Sequence, residues 1–419
     1  MMQRRHFLMG AATAALARNA FGANDVANLT VIGLGGRGTD HINFLARVPG
    51  ANIAAVCDVN QAAAERAVAL VEKNSGRKPK AYSDMRRVFE DKDIDAVTMA
   101  TPNHWHALGT VWACQAGKDV YVEKPACHNV YEGGKMVEAA RRYNRMVQVG
   151  SQSRSIAFRK QAVELLKTGI IGDVYMAKGT CFKRRKSIGK APVETVPAGI
   201  DWDQFLGPAA MRPFTMNRFK YNWHWFWDTG NGDIGNQGVH ELDFARWALG
   251  KALPQAVVST GGKYAYDDDQ ETPNTQLSTF DYGKQQLVFD VRGLPTPPEE
   301  NVMIGDLIYG TEGFMAVDYA GFRVYKGEDK QKVKEVIVES KDAYDTAPHF
   351  DNFVKAVKSR RREDLNAEIA EGVASADLAH LANISYRVGR RLQFDGKSFG
   401  NDKEANALLT REYRKPYTL

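Results

Sequence analysis

The sequence predicts an α/β fold in which a doubly wound parallel sheet precedes an α+β domain with an open, mostly antiparallel sheet. From residue 24 to about 150, apolar runs alternate with amphipathic segments, which is typical of parallel strands joined by crossover helices. Beyond that point most strand patterns follow one another without a helix between them, which favours antiparallel pairing. A length of 419 residues also exceeds one ordinary core and indicates about two domains.

The first domain is predicted over residues 24–150. Its apolar runs are each short enough for a strand, and the segments between them have helical periodicity. The predicted strands are 28–34, 51–60, 95–103, 119–125 and 147–152, and the predicted helices are 39–48, 61–74, 106–117 and 131–146.

A glycine-rich turn follows the first predicted strand. Gly33 suits the tight turn, and Gly35 allows a pyrophosphate to approach the backbone N–H groups closely. Gly38 allows the helix to pack closely on the strand. Asp58 ends the second strand 20 residues after Gly38, where a carboxylate binds adenosine ribose hydroxyls and repels a 2′-phosphate. Together these signals predict NAD, rather than NADP, as the cofactor. The predicted contacts of the turn are Gly33, Leu34, Gly35, Gly36, Arg37 and Gly38.

Two further strands end at the same edge of the predicted sheet, because the carboxyl ends of parallel strands meet there. One ends in Ala100-Thr101-Pro102-Asn103 and the next in Glu123-Lys124-Pro125. A partly buried lysine beside a cationic nicotinamide is favoured in its neutral form. The predicted cofactor contacts of this edge are Thr101, Pro102, Asn103, His106, Glu123, Lys124 and Gln152.

These motifs, with the stretch GNGDIGNQGVHELDFARW at 230–247, resemble the Gfo/Idh/MocA family of NAD(P)-dependent oxidoreductases. The resemblance covers nearly the whole chain after its first 22 residues. It implies a Rossmann domain that binds NAD, an α+β domain that binds a carbohydrate, and a lysine that orients and polarises the reacting hydroxyl or carbonyl. That catalytic lysine is Lys124 in this sequence.

The resemblance also implies a catalytic histidine with an aspartate four residues before it. His240 matches the histidine, but Asn236 stands at the aspartate position and Asp233 lies three residues earlier. An asparagine orients a substrate by hydrogen bonding but is no base, so proton transfer is assigned to His240, with Asp233 or Tyr221 as groups that tune it.

The segment around residues 221–228 mixes four aromatic residues with polar ones. Core packing is the default for some of the aromatic side chains, but aromatic faces beside hydrogen-bonding groups also suit a sugar ring. The predicted substrate contacts are Lys124, Arg154, Lys183, Tyr221, Trp223, His224, Asp233, Asn236 and His240.

The hydrophobic pattern divides the rest of the chain into three parts. Residues 151–345 are predicted to form the α+β domain, which binds substrate and joins subunits into a homodimer or homotetramer through its sheet. Two helices within 346–400 are expected to pack back on the first domain, and 401–419 form a polar tail.

Residues 1–22 have the pattern of a cleavable twin-arginine signal, with Arg4-Arg5 before a short apolar run and a small-residue exit. The expectation is a protein exported, to the periplasm or beyond, after it has folded around its cofactor. Without the three arginines of this leader, the formal charge of +6 falls to about +3, which gives no reason to expect a nucleic-acid partner. No later segment of the sequence is apolar enough to span a membrane, so stable membrane insertion is not expected.

The sequence predicts no metal site. Its four cysteines lack a Cys-x-x-Cys or Cys/His ligand spacing and are expected to be mostly free, buried thiols. His104 and His106 lack a third ligand nearby, whereas a site of Asp233, His224 and His240 stays an alternative that hydride transfer does not require.

The leading functional hypothesis is an NAD-dependent oxidoreductase that acts on a sugar, glycoside or polyol carbinol, with tightly bound NAD. In this hypothesis His240 or Lys124 accepts the hydroxyl proton. One alternative is a redox-neutral, NAD-dependent glycosidase that oxidises, eliminates, hydrates and re-reduces its substrate. A second alternative is a sugar-binding protein without activity, which the presence of both Lys124 and His240 argues against.

Overall fold

A computed structural model describes residues 26–339 and 345–419. The proposed leader at 1–22 lies outside these residues. In the first domain the strands are β1 Ala27–Ile32, β2 Ala51–Cys57, β3 Lys80–Tyr82, β4 Ala96–Met99, β5 Asp119–Val122 and β6 Val147–Val149. The helices are α1 Gly36–Leu45, α2 Gln61–Ser75, α3 Met85–Glu90, α4 Asn103–Gln115 and α5 Val130–Arg142.

All six strands pair in parallel, in the order β3-β2-β1-β4-β5-β6, so the predicted doubly wound sheet is confirmed. The reversal of strand order between β1 and β4 opens a crevice at the carboxyl edge, where such sheets bind ligands. The sequence analysis missed β3 and α3. Both are short, and β3 is a mostly exposed edge strand of three residues, so neither carries a usable apolar period.

The second sheet has nine strands in the order β14-β13-β12-β11-β7-β10-β9-β8-β15. Only β7 and β10 pair in parallel among its described neighbours, so the mostly antiparallel prediction is confirmed. Its strands are β7 Val174–Cys181, β8 Ala256–Gly262, β9 Thr275–Asp281, β10 Gln286–Arg292, β11 Ile304–Gly310, β12 Gly313–Asp318, β13 Gly321–Lys326, β14 Gln331–Ile337 and β15 Leu392–Gln393.

The helices of the second half pack on this sheet, on the first domain or on one another. They are α6 Ala157–Lys167, α7 Trp202–Leu206, α8 Gly232–Asn236, α9 Gly238–Leu249, α10 Ala347–Ser359, α11 Ile369–Val388 and α12 Lys403–Ala407. Short 3-10 helices occupy Gln152–Ser155, Met216–Arg218, Asn222–Trp225 and Arg362–Asp364.

Two late helices tie the halves together. Phe350 of α10 is fully buried in the core of the first domain and stacks on Tyr121 of β5, with ring centroids 4.4 Å apart. Helix α11 contributes Ile369 to a core of the first domain and Leu381 to the core under the second sheet. The two domains therefore share helices, which fixes the crevice between them.

The tail after residue 408 lies along the first domain. Arg411 bonds to the Glu132 carboxylate at 3.0 Å and to the backbone carbonyl of His104 at 2.9 Å. The Tyr417 ring packs edge-on against Trp105, with centroids 5.5 Å apart. Over the described ranges, none of the helices has the length and apolar character needed to cross a bilayer.

Candidate active site

A cavity of about 810 Å³ lies in the crevice between the two domains. The carboxyl ends of β1, β2, β4 and β5 form one wall, and the segment 219–237 forms much of the other. Of the residues predicted to contact cofactor or substrate, those that line it are Gly33, Leu34, Gly35, Gly36, Arg37, Asp58, Thr101, Pro102, Asn103, Glu123, Lys124, Lys183, Tyr221, Trp223, His224 and Asn236.

The glycine turn fits an anionic ligand. Gly33 has φ +84°, and a Cβ there would lie 2.7 Å from the backbone of Ala100. At Gly38 a Cβ would lie 1.8 Å from the Gly33 carbonyl oxygen, so helix α1 packs directly on the turn. A Cβ at Gly35 or Gly36 would meet no atom within 4 Å, which leaves bare backbone at the start of α1. Free N–H groups at a helix start suit the pyrophosphate of a dinucleotide.

Asp58 follows β2 at the adenosine end of the cavity. Its Oδ2 accepts a 2.5 Å hydrogen bond from the Leu34 N–H, and its Oδ1 accepts one of 2.8 Å from the Asn60 N–H. The carboxylate thus locks the glycine turn to the end of β2. Two cations, Arg66 and Arg86, line the same cavity.

Glu123 is the buried centre of a hydrogen-bond network. Its Oε1 accepts from Arg37 Nε at 2.8 Å and from Gln152 Nε2 at 3.0 Å, and lies 3.0 Å from His41 Nε2. Burial alone would raise the pKa of Glu123, but the Arg37 charge and the His41 hydrogen bond hold it well below its ordinary value. The ionised carboxylate therefore anchors the loop that carries Lys124.

Lys124 links the first domain to the second. Its Nζ donates a 2.8 Å hydrogen bond to the backbone carbonyl of Asn236 in α8. Burial lowers the pKa of Lys124 to about 8; Glu123 opposes this shift, and the charges of Arg37 and Lys183 add to it. A pKa of about 8 lets the amine gain and lose a proton near neutral pH.

The second domain supplies a connected set of polar groups to this end of the cavity. Lys183 Nζ donates to Gln237 Oε1 at 2.8 Å, and Asn236 Nδ2 donates to the Tyr221 hydroxyl at 2.8 Å. Arg185 donates from Nη1 to the same hydroxyl at 3.1 Å. These bonds fix the orientation of donors and acceptors before a substrate arrives.

Aromatic rings continue this surface. His224 stacks on Trp223 with centroids 3.6 Å apart and lies 4.5 Å from the Tyr221 ring. Tyr221 is 50 % exposed, so its face is available to a ligand. Trp225 is buried instead and carries the Arg185 guanidinium over its ring at 5.1 Å. The aromatic segment is thus partly core and partly cavity wall.

Three predicted substrate contacts are not cavity-lining residues. Arg154 is buried and paired with Asp243 through Nε and Nη2 at 2.9–3.0 Å, so its donors are occupied in the core. Asp233 is bound by Arg185 at 2.6 and 2.9 Å. His240, on α9, is half-buried and is not among the cavity-lining residues, and burial and the Lys124 charge lower its pKa to about 3. The family spacing places His240 on this helix, but only packing decides how deep it lies.

Three predicted cofactor contacts support the cavity from behind. Gly38 packs on the glycine turn, and Gln152 Nε2 bonds to the Tyr121 hydroxyl as well as to Glu123. His106 lies between two loops, with Nδ1 2.7 Å from the Pro125 carbonyl oxygen and Nε2 2.8 Å from that of Thr101. These three residues hold the cavity lining in place, and their direct contact with the cofactor stays a prediction.

Several cavity-lining residues escaped the sequence analysis. Gln237 stands beside Asn236 in the stretch 230–247 that carries the family resemblance, so its position was a usable signal. Arg66 lies eight residues after Asp58 on α2, a spacing that carries no specific motif. Tyr417 arrives from the tail, and nothing in its local sequence points to the cavity. Further lining residues of this kind include Asn60, Arg86, Trp105, Phe205, Phe219 and Lys220.

The residues present fit NAD. The glycine turn and the start of α1 would hold the pyrophosphate of NAD, and Asp58 would bind its adenosine ribose. The loop from Thr101 to Asn103 would contact the nicotinamide half. Asn103 is itself held by a 2.9 Å hydrogen bond from its Nδ2 to Asn231 Oδ1 of the second domain.

Curated relatives match only part of the chain. A glycosyl hydrolase family 109 protein of Shewanella sp. (strain W3-18-1) is 28% identical over 154 residues, 36% of this chain and 34% of the relative. An alpha-N-acetylgalactosaminidase of Shewanella oneidensis is 27% identical over 203 residues, 41% of this chain and 44% of the relative. The matches thus span between a third and a half of these relatives.

Solved structures share the fold over most of the chain. The WlbA dehydrogenase from Bordetella pertussis, in complex with NADH and UDP-GlcNAcA, has a TM-score of 0.65 at 19% identity, covering 88% of this chain and 99% of its own. Levoglucosan dehydrogenase, in complex with NADH and levoglucosan, has a TM-score of 0.67 at 18% identity, covering 88% and 100%.

Family profiles cover nearly all of the described chain. The oxidoreductase family with an NAD-binding Rossmann fold matches residues 27–151, and its C-terminal alpha/beta domain matches 160–419. These spans coincide with the parallel sheet that carries the glycine turn and with the antiparallel sheet that carries Asn236 and Gln237. The chain belongs to the Gfo/Idh/MocA family of NAD-binding oxidoreductases.

Proposed function

We propose that this protein oxidises a carbinol of a sugar, glycoside or polyol, with Lys124 as the group that accepts the hydroxyl proton. The position and pKa of Lys124, at the junction of the cofactor and substrate walls, carry the proposal. When bound, NAD supplies the hydride acceptor.

The pKa values separate the two candidate bases. A base with a pKa of about 8 accepts a proton readily near neutral pH, whereas one with a pKa of about 3 does so poorly. Lys124 is thus the better acceptor of the hydroxyl proton, and we assign to His240 the role of a positioning residue. The sequence-based hypothesis left both His240 and Lys124 open as the acceptor, and this assignment chooses Lys124.

A carbohydrate suits the opposite wall. The exposed face of Tyr221 and the Trp223 ring offer apolar surface to a sugar ring, while Lys183, Asn236 and Gln237 offer donors and acceptors for hydroxyl groups. The dehydrogenases with this fold whose solved structures hold NADH with levoglucosan or UDP-GlcNAcA support the same class of substrate.

A screen of free sugars and glycosides tests the proposal, with NADH absorbance and aglycone release followed in parallel. In the Lys124→Met variant we expect bound NAD and the fold to remain, while turnover falls about 100- to 10,000-fold, the contribution of an acid/base group. Lys73→Met, an exposed lysine on α2, is the matched control. Near-normal turnover in Lys124→Met would remove this lysine from the mechanism.

A redox-neutral glycosidase is the second candidate, favoured by the glycosyl hydrolase family 109 relatives. In that cycle the substrate is oxidised, loses its aglycone by elimination, takes up water and is reduced again, so NAD returns to its starting state. Desalted protein should then turn over many glycoside molecules in cofactor-free buffer. Product that stops at about one equivalent per site, and resumes with added NAD, instead identifies a net dehydrogenase.

We also propose export by the twin-arginine route. The support is the pattern of residues 1–22, and a cofactor inserted during folding explains why a folded protein is exported. Cell fractionation of the full chain should find it outside the cytoplasm. A double Arg4→Lys, Arg5→Lys variant should stay inside, and equal export of both proteins would contradict the proposal.

A homodimer or homotetramer through the second sheet is proposed from an apolar cluster whose partly exposed members are Tyr309 and Tyr325. Leu307, Phe314 and Ala316 form a separate cluster with Tyr309 and Tyr325. Strand alternation places this cluster on the face opposite the helix-covered core. Light scattering after gel filtration should give a dimer or tetramer, and Tyr309→Arg should shift it toward the monomer. A monomeric parent protein would contradict the proposal.

A further inference from the structure

We propose that Cys127, Asp377 and His380 form a binding site for a divalent cation of the zinc class, separate from the active-site cavity. Among the described residues these three offer a thiol sulfur, a carboxylate oxygen and a ring nitrogen that all lie within 4.8 Å of one another. Cys127 lies in the loop after Lys124, and the other two lie on α11. The proposal does not depend on the substrate or the reaction.

The donor geometry suits zinc. Cys127 Sγ lies 3.5 Å from His380 Nε2. Zinc binds sulfur at about 2.3 Å and nitrogen at about 2.0–2.1 Å, so a tetrahedral site separates these two ligand atoms by roughly 3.5 Å. Asp377 and His380 are three residues apart on a helix, which projects both side chains toward the same neighbour.

Burial gives a second, independent indication. Cys127 is fully buried, His380 is 3 % exposed and Asp377 is 5 % exposed. Within the described part of the chain, the Oδ1 atom of Asp377 is buried and has no hydrogen-bond partner. A buried carboxylate oxygen without a donor is costly, and a bound cation removes that cost.

The ligand set selects the class of ion. One thiolate, one imidazole and one carboxylate suit zinc or a similar transition metal, whereas magnesium and calcium prefer oxygen ligands alone. A thiolate and a carboxylate together carry two negative charges, which neutralise a divalent cation at this buried site. Three protein ligands leave the fourth tetrahedral position to a water molecule or to the second oxygen of Asp377.

Such an ion would cross-link the two halves of the protein. Cys127 lies three residues after Lys124, and α11 packs against both domain cores. Metal binding would therefore restrain the loop that carries Lys124 relative to the second sheet. A structural site of this kind stabilises the folded state by an amount that grows with the logarithm of the free metal concentration.

The test is metal content and spectroscopy of the full chain. Protein expressed with added zinc and then dialysed should hold about one zinc per chain. The metal-free protein should give a thiolate-to-cobalt charge-transfer band when cobalt is added. A chelator should also lower the melting temperature by several degrees. Wild-type protein that holds no zinc and gives no cobalt band would overturn the proposal, whatever the behaviour of variants.

Variants locate the ligands. Cys127→Ser and His380→Gln should each lose the zinc and the chelator effect, and Cys127→Ser should lose the charge-transfer band. Cys114→Ser is the matched control, because Cys114 is an equally buried, free cysteine of the first domain, and it should keep both signals. Full zinc binding by Cys127→Ser would contradict the assignment.

Discussion

Lys124 Nζ donates its 2.8 Å hydrogen bond to the main-chain carbonyl of Asn236. The side chain of Asn236 is directed to the Tyr221 hydroxyl instead. The family resemblance led us to expect an aspartate at this position, but the bond to Lys124 uses a backbone atom that every residue type has. The substitution therefore leaves the link between the two domains at Lys124 intact.

The Lys183→Met variant should change the pH dependence of the reaction. The positive charge of Lys183 helps to lower the pKa of Lys124, so its removal should raise that pKa above about 8. If neutral Lys124 accepts the proton, the rise of kcat/KM with pH moves to higher pH, and the value at pH 7 falls several-fold. Lys186→Met, exposed three residues further on, should keep the original profile. An unchanged profile in Lys183→Met would show that the two amines are not coupled.

The Arg154→Met variant should destabilise the protein and leave cofactor binding intact. Arg154 and Asp243 are both buried, and removal of Arg154 leaves Asp243 with only the Ser375 hydrogen bond and the more distant Arg246 charge. Loss of one partner of a buried ion pair costs about 3–5 kcal/mol of unfolding free energy. Urea unfolding measures this change. Arg87→Met, which breaks the exposed pair with Glu90, should leave the free energy of unfolding nearly unchanged, because solvent screens an exposed ion pair. A raised KM for substrate without a loss of stability would restore Arg154 as a substrate ligand.

The Glu241→Gln variant should reduce the dependence of stability on pH. Burial raises the pKa of Glu241 from 4.5 to about 7 in the folded protein. Between these values the unfolded chain has lost the proton while the folded protein keeps it, so this group makes stability fall as pH rises. The melting temperature of Glu241→Gln relative to wild type should therefore increase from pH 5 to pH 8. The control variant Glu164→Gln, on the exposed side of α6, should show the same change of melting temperature with pH as wild type.

The Asp58→Asn variant should relax the preference for NAD over NADP. The carboxylate lies at the adenosine end of the cavity, and loss of its charge removes the repulsion of a 2′-phosphate. Arg66 and Arg86 line the same cavity and would then attract that phosphate. The ratio of the two Kd values, from tryptophan fluorescence, should shift toward NADP at least about tenfold, a change of about 1.4 kcal/mol. A ratio within a factor of two of wild type would contradict this role for Asp58.

Features that depend on one continuous segment of the chain could be predicted from the sequence alone. The turn from Gly33 to Gly38 needs glycine at the positions where a Cβ would collide with backbone. The hydrophobic periods of strands and helices indicate the two sheets. Both signals lie within short segments, so the fold class and the cofactor-binding wall could be predicted from the sequence.

Only the tertiary structure decided which distant side chains meet. Arg154 binds Asp243 across 89 positions, and Cys127 contacts His380 across 253, so no local spacing encodes either contact. Tyr417 reaches the cavity because the tail docks on the first domain. Such contacts depend on how whole elements pack, and packing follows from the summed burial of many residues rather than from a pattern in one segment.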